Sequence, residues 1–512
     1  MSTKSRTEYS LLNIMTGVGG YIISVLLSLV NRMVFTRTLP IAYLGVGGLF
    51  TNVLSMLSLA ELGVGNAIVY ALYKPLAEKD EKKVASLVRI FRNSYATIGI
   101  VILALGVALT PLLPLIIGSQ PDIHESIYLI YFIFLISTVS SYFFTYRSSL
   151  LVAAQQNYIV TGINYSVLSI QEIVQAVYLF YTHNYIGYLV IRFIGNLIVY
   201  VWTSQVAVKK FPYITDKTVQ PLGKNEKKQI FANVRDLMIY KISGVLVNGT
   251  DNIITTFFDG LSITGLASNY TLLTNTLNAL FSQVFNGISA SVGNLNAVES
   301  EEKKYSLFKM TNLMNFWLYS WGGIGIIFVS TDLVKLLFGK SYELGINIPI
   351  ILAINFYTVG MQNSVWIFKH TMGLFKYGRF TQTGTAVLNL LFSVLLGYKL
   401  GLFGILLATF LARLLTNLWY DPYIMYKKAF KRNPLEYLAR YFMFLLILIF
   451  EIACCTLLSN VTTNHLLSSI IWKMLICSLI PNVIFIFIFR NSDEFRGVKT
   501  SILTVLRKLT LL

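Results

Sequence analysis

Charge is scarce in this chain of 512 residues: Asp, Glu, Lys and Arg together make up 12%, about half the share of an average soluble protein. A water-facing surface cannot be built from so few charges, which excludes an ordinary soluble globular protein. Cysteine is nearly missing, with three in all. Cys454, Cys455 and Cys477 fall inside late apolar runs, so they form neither a disulfide framework nor a metal set. The four histidines are scattered, and none pairs with a cysteine or a second histidine at ligand spacing. The sequence lacks a phosphate-binding loop, a nucleophile elbow and a metal motif. Gly45, Gly47 and Gly48 are not followed by the residues such a loop requires; they read instead as sites of close helix contact. No cleavable signal peptide is expected, because the first apolar run is too long and has no small-residue cleavage site.

What fills the chain is apolar. Hydrophobic residues make up 55% and the mean hydropathy is +0.65. Runs such as Ile98–Ile117 and Ile127–Phe144 approach the roughly 20 residues that cross a hydrocarbon core. They do not alternate as barrel strands would. Fourteen spans are predicted: Leu11–Thr36, Ile41–Leu72, Tyr95–Ile117, Ile127–Thr145, Tyr158–Tyr181, Ile186–Val208, Phe231–Phe257, Ile263–Val292, Leu307–Ser330, Ile346–Phe368, Phe380–Tyr398, Leu402–Met425, Tyr437–Leu458 and Leu466–Phe489. The net charge of +18 sits between these runs, where it orients a membrane protein and does not point to nucleic acid. Thirty-one of the 41 lysines and arginines fall on the side of the N-terminus. Four fall opposite: Arg37, Lys335, Lys340 and Lys399. Both termini are therefore expected in the cytoplasm. Exported loops are short, the longest being Thr331–Gly345 and Gly118–Ser126, which leaves no room for an external catalytic domain.

A repeat organises the chain. A gapless shift of 220 residues places residues 13–89 on 233–309 with sixteen identities in 77 positions. Among them are Asn13 with Asn233, Thr36 with Thr256, Gly45 with Gly265 and Asn66 with Asn286. Loop residues match as well, Glu81 with Glu301 and Lys83 with Lys303. Span one thus maps onto span seven, and both halves start on the same side, as parallel repeats do. The expected fold is an all-α integral membrane protein of about 14 transmembrane helices: two parallel six-helix repeats plus two C-terminal helices. The expected divisions are an N-terminal lobe at 1–208, a cytoplasmic linker at 209–230, a C-terminal lobe at 231–430, two additional helices at 431–490 and an amphipathic tail at 491–512. Lys74–Arg92 reads as a solvated helix, and Val498–Leu512 as one lying on the inner face of the membrane.

Polar residues gather on faces. In span one, Asn13, Gly17, Gly20, Ser24 and Asn31 share one side at 100° per residue; in span seven Lys241, Gly244, Asn248, Asn252 and Thr255 do so; span eight adds Thr271, Asn275, Asn278, Ser282 and Ser289. Small and polar residues also serve to hold helices together, and the glycines and serines fit either use. The asparagine faces favour a hydrated cavity, because they recur in equivalent repeat positions. Charges inside spans are costly unless paired or hydrated. Lys241 and Arg413 are the deepest cations, about 15 Å from the nearer helix end at 1.5 Å per residue. Arg32 and Arg192 lie a turn or two inside the outer face, from which they can also snorkel. Glu61, Glu172, Asp251 and Glu451 are the acidic counterparts. Asp251, one turn from Asn248, either pairs with a lysine or arginine or carries a coupling cation. Lys473 reads as snorkelling.

The first half resembles the Wzx-type polysaccharide flippases of the multidrug/oligosaccharidyl-lipid/polysaccharide exporter superfamily. The residues that carry the likeness are Asn31-Arg32, Phe35-Thr36-Arg37, Tyr43-Leu44-Gly45, Leu49-Phe50-Thr51-Asn52, Glu61-Leu62-Gly63, Asn66-Ala67-Ile68, Leu72-Tyr73-Lys74-Pro75-Leu76-Ala77 and Asp80-Glu81-Lys82-Lys83, with Ser268-Asn269-Tyr270 as a weaker match in the second half. The resemblance implies a bacterial cytoplasmic membrane protein and no enzyme. It would flip an undecaprenyl-diphosphate-linked oligosaccharide, with polysaccharide polymerase and glycosyltransferases as pathway partners and membrane lipid around it. Lys241, Arg413, Arg32 and Arg192 would hold the pyrophosphate, Asn248 and Asn252 the sugars. Asp251, Glu61 and Glu172 would carry a coupling Na+ or H+, and no cofactor is implied. A multidrug/cation antiporter of the same superfamily is the competing reading; spans thirteen and fourteen and the surplus of buried cations weigh against it. A membrane polymerase or glycosyltransferase would need a large exported loop or a membrane-proximal acidic motif, and the sequence has neither.

Overall fold

The computed structural model describes residues 6–58, 71–73, 75–76, 78–117, 123–154, 156, 157–216, 223, 249–298, 300–372, 374, 377, 379–459 and 465–500. Regular structure among them is helical throughout. The helices are α1 (Arg6–Thr38), α2 (Ala42–Leu57), α3 (Glu81–Leu109), α4 (Ile127–Tyr142), α5 (Thr145–Ala153), α6 (Asn157–Thr182), α7 (Tyr185–Lys210), α8 (Asp251–Val298), α9 (Glu301–Phe338), α10 (Asn347–Thr371), α11 (Arg379–Leu415), α12 (Asn417–Ile424), α13 (Leu435–Ser459) and α14 (Leu466–Phe489). The chain divides into two compact units, Met1–Gly265 and Leu266–Leu512.

Among the described residues eight helices are long and apolar enough to cross a membrane, or nine if the bent pair α4 and α5 counts as one. In α3 and α13 only 22% of the apolar window is buried, against 61% in α10. Large apolar side chains lie outward, such as Leu457 at 77% exposed and Phe487 at 72%. Such a surface is stable only against lipid, and the chain is a multi-pass membrane protein. α6, expected as span five, is not among the eight. Asn164, Gln171, Glu172 and Gln175 interrupt its apolar surface. Most of span seven and the second half of span two lie outside the described residues.

Two expected span boundaries fall on glycines with positive φ. Gly260 (φ 85°) breaks α8 and Gly401 (φ 56°) breaks α11, a conformation that L side chains rarely adopt. Two helix starts are capped by side chains. Asp80 accepts from the Lys83 amide at 3.0 Å and starts α3, so the charged stretch from Glu81 onward continues directly into span three. His183 in the left-handed region ends α6. Asn184 then caps α7 by accepting from the Gly187 amide at 2.9 Å. The result is a tight α6–α7 hairpin in the first unit.

In the second unit α9 is the central helix. It extends to Phe338, two turns into the stretch expected as the exported loop Thr331–Gly345. Phe316 stacks on Phe444 of α13 at 4.4 Å and Trp317 on Phe485 of α14 at 5.2 Å. Trp317 also donates to Asn482 Oδ1 at 2.6 Å. The two C-terminal helices are thus anchored to α9 by stacked rings and one half-buried hydrogen bond.

Candidate functional site

The first unit gathers charged and aromatic residues from four helices. Asn31 of α1 donates to Glu172 of α6 and to the Tyr188 hydroxyl of α7 at 3.3 Å. Arg192, one turn beyond Tyr188, acts electrostatically on Glu172, Tyr185 and Tyr188, and Arg32 on both tyrosines. Tyr185 packs against Tyr43 at 4.8 Å and Phe35 at 5.8 Å. Tyr43 in turn donates to Glu125. Three residues read separately from the sequence, Arg32, Glu172 and Arg192, therefore belong to one cluster.

A cavity of about 340 Å³ adjoins this cluster between α2, α4 and α7. Its polar lining follows helical periodicity. Arg192, Asn196 and Tyr200 come from one face of α7, Ser137, Thr138 and Ser141 from α4. Thr51, Ser55 and Ser58 of α2 complete the lining. Three of these hydroxyls are bonded back to their own helices, Thr138 to the Phe134 carbonyl at 3.0 Å, Ser141 to the Thr138 carbonyl at 2.7 Å and Thr51 to the Gly47 carbonyl at 2.7 Å. Their protons are thereby used, and their lone pairs remain to accept from a bound polyol. Asn196 donates to Ser137 Oγ at 3.4 Å. Arg192 rests over the Phe134 ring at 5.6 Å and is the charged side chain of the lining among the described residues. The cavity thus combines one forked cationic donor with a wall of hydroxyl acceptors.

The other expected site residues are placed as follows. Asp251 begins α8, and the Asn252 amide lies beside Gly48 of α2. Gly45 of α2 meets the Leu261 carbonyl so closely that a side chain there would collide, as the reading of close helix contact expects. Arg413 is buried in the second unit near the end of α11, 7% exposed. Lys241, Asn248 and Glu61 lie outside the described residues, as does the tail beyond Thr500. The polar stripe of α1 packs in part against α6: Thr16 meets Thr161 at 3.2 Å, and Gly20 abuts the Tyr165 ring. Gly20 therefore serves helix contact, and Asn31 serves the cluster.

Sequence reasoning missed four features. The serines and threonine of α4 leave no dip in hydropathy, because a hydroxyl satisfied by its own helix costs little in an apolar run. Lys369 and Asp421 form an ion pair at 2.6 Å, 5% and 1% exposed. Each sits near the end of a predicted span, where charge is unremarkable. Lys473, read as snorkelling, pairs with Asp332 at 2.6 Å. In α11, Asn389 donates to Thr409 at 2.9 Å, while Asn389 Oδ1 and Ser393 Oγ are buried without partners among the described residues. Among the described residues no group of three or more His, Cys, Asp or Glu is arranged to hold a metal.

No family model and no curated protein sequence matches the chain. Solved structures do. The lipid II flippase MurJ in an inward closed conformation superposes with TM-score 0.66 at 15% identity, over 93% of this chain and 99% of that one. An inward-facing multidrug resistance MATE family transporter of the MOP superfamily gives 0.57 at 13% identity, over 77% and 93%. A MATE in the bent conformation gives 0.52 at 13%, over 81% and 97%. The chain has the fold of these transporters. The superposition with the flippase covers more of the chain than those with the MATE structures.

Proposed function

We propose that this chain is a Wzx-type flippase. It would carry undecaprenyl-diphosphate-linked oligosaccharide units from the cytoplasmic to the outer leaflet of a bacterial cytoplasmic membrane, for capsule, exopolysaccharide or O-antigen assembly. The observation that carries this reading is Arg192 at the edge of a hydroxyl-lined cavity. A pyrophosphate has about two negative charges and loses strong hydration on leaving water. A guanidinium offsets that loss with paired, charge-assisted donors. The Ser, Thr and Asn lining suits sugar hydroxyls. Likeness in fold to a lipid II flippase along nearly the whole chain supports the same class of cargo. A cation antiporter fits less well, because the charge offered to the cavity is positive.

In this reading residues 13–200 and 233–420 are parallel lobes that rock to alternate access, and both termini are cytoplasmic. Lys241 and Arg413 share the pyrophosphate load with Arg32 and Arg192, and Asn248 and Asn252 contact sugars. Coupling to Na+ or H+ involves Asp251, Glu61 and Glu172; the partnerless oxygens of Asn389 and Ser393 are further hard ligands of the kind Na+ takes. Glycosyltransferases supply the cargo and a polymerase consumes it. The test is a strain that lacks this chain. Lipid-linked oligosaccharide should accumulate on the cytoplasmic leaflet, unreachable by an external glycosidase, and re-expression should restore access. Unaltered access, with loss of cationic dye efflux instead, would favour the antiporter.

A further inference from the structure

The second unit holds a larger cavity, about 1010 Å³, where the C-terminal ends of α9 and α13 meet the N-terminal ends of α10 and α14. It has two chemically distinct parts. One wall is apolar, built from Phe328, Ile350, Ile354 and Ile452. The other is charged. Lys335 pairs with Glu343 at 2.9 Å and Lys473 with Asp332 at 2.6 Å. Lys340 lines the same wall and has no carboxylate within ion-pair reach among the described residues. Three ammonium groups therefore face two carboxylates, and one positive charge remains. Thr331 also lines the cavity, its Oγ1 buried and without a hydrogen-bond partner among the described residues.

These features call for a ligand that is anionic at one end and apolar at the other. Ile350 and Ile354 are each 37% exposed, which opens the apolar wall toward lipid. Lysines at helix ends sit at headgroup depth, and the ion pairs hold Lys335 and Lys473 at the cavity instead of letting them swing into water. A phosphodiester carries one negative charge, which the wall's surplus matches, and its oxygens accept from a hydroxyl such as that of Thr331. We propose that this cavity binds the phosphate headgroup and upper acyl chain of an anionic glycerophospholipid, with Lys340 as the main charge contact. The site uses none of the residues assigned to cargo in the first unit, so it stands or falls independently of the proposed function.

The probe is the purified full chain in detergent, titrated with phosphatidylglycerol or phosphatidylcholine and read by native mass spectrometry. Phosphatidylglycerol should be retained in preference. Lys340→Gln should lower that preference roughly fivefold, the effect of one lysine near an anionic surface, and Lys340→Arg should keep it. Ile350→Trp, which fills the apolar part without changing charge, should weaken retention of phosphatidylglycerol, and the transition temperature of each variant confirms folding. Equal retention of the two lipids overturns the proposal, as does a preference that Lys340→Gln leaves unchanged. Displacement of phosphatidylglycerol by millimolar inorganic phosphate would also overturn it, by showing a site for the free anion and not for lipid.

Discussion

Asn31 on α1 donates its amide proton to the Glu172 carboxylate on α6, from 141 positions away in sequence, and this bond ties the first helix to the charged cluster. Asn31 is 3% exposed. Asn31→Ala removes the donor and leaves a half-buried carboxylate without it, which costs about 1–3 kcal/mol. Glu172→Gln keeps the shape and drops the charge. The expected outcome is a lowered transition temperature for Asn31→Ala in detergent, and a double variant less destabilised than the two singles summed. Strict additivity would show that the bond contributes nothing to the fold.

Lys369 and Asp421 make the most deeply buried ion pair described, and Trp366 Nε1 also donates to Asp421, at 3.3 Å. Breaking such a pair from one side leaves an uncompensated charge, at a cost of about 3–5 kcal/mol. Lys369→Met and Asp421→Asn should each reduce folded yield sharply. Lys369→Met with Asp421→Leu should recover much of it, because an apolar pair needs no desolvation. Recovery is read by size-exclusion chromatography after heating. A double variant no better than either single would refute the argument.

The architecture was largely legible in the sequence, because hydropathy reports what lipid selects. The ends of α6, α7, α13 and α14 fall within a few residues of the expected spans, and Gly260 and Gly401 break α8 and α11 where boundaries were read. Single charges in apolar runs were legible too, which is how Arg32, Glu172 and Arg192 were found. Their convergence was not, since pairing between distant helices leaves no local signal. Thr138 and Ser141 were silent because their hydroxyl protons bond within their own helix. Asp332 was hidden by two extra helical turns of α9, which carry it out of the expected loop to meet Lys473.

Topology offers a direct check on the charge count. On a background lacking Cys454, Cys455 and Cys477, Lys224→Cys should resist a membrane-impermeant maleimide in intact cells, and Lys340→Cys should label. The reverse pattern would invert every loop and with it the orientation of both termini.

The segment after α14 is held by charge. Glu494 meets Lys309 at 3.2 Å and Arg440 at 3.2 Å, and Arg440 also donates to the Lys309 carbonyl at 3.0 Å. Partial burial alone would raise the Glu494 pKa, but backbone hydrogen bonding, Arg440 and Lys309 outweigh it, so the net shift is below the ordinary 4.5. A carboxylate with a depressed folded pKa contributes stability that is complete above its unfolded value and is lost as pH falls through the folded one. Docking of residues 493–500 should therefore be independent of pH above the ordinary glutamate range and weaken as the pH falls below it, through the depressed folded pKa. Hydrogen exchange of this segment reads the change. Glu494→Gln should loosen the segment at neutral pH and abolish the pH dependence. An unaltered profile in that variant would assign the docking to other groups.

Arg192 bears the functional reading most directly. It is the cation that lines the first-unit cavity, its guanidinium is stationed over Phe134, and Asn196 and Tyr200 continue its face of α7. A hydrogen bond to a charged group contributes roughly 1.5–3 kcal/mol, so Arg192→Gln should slow translocation of lipid-linked glycan about ten- to hundredfold. Arg192→Lys should lose less, since it keeps the charge but not the fork. Asn196→Ala should cost only a few-fold, the share of one neutral bond. All rates must be compared at equal protein abundance in the membrane, because the electrostatic link from Arg192 to Glu172 also gives it a part in folding. Lys241→Ala and Arg413→Ala extend the series, with Lys241→Arg expected to retain more transport than Lys241→Ala. If the combined variants of Arg192, Lys241 and Arg413 flip cargo at the normal rate, the cationic hold on the pyrophosphate is wrong, while the fold and the helix pairings described above are unaffected.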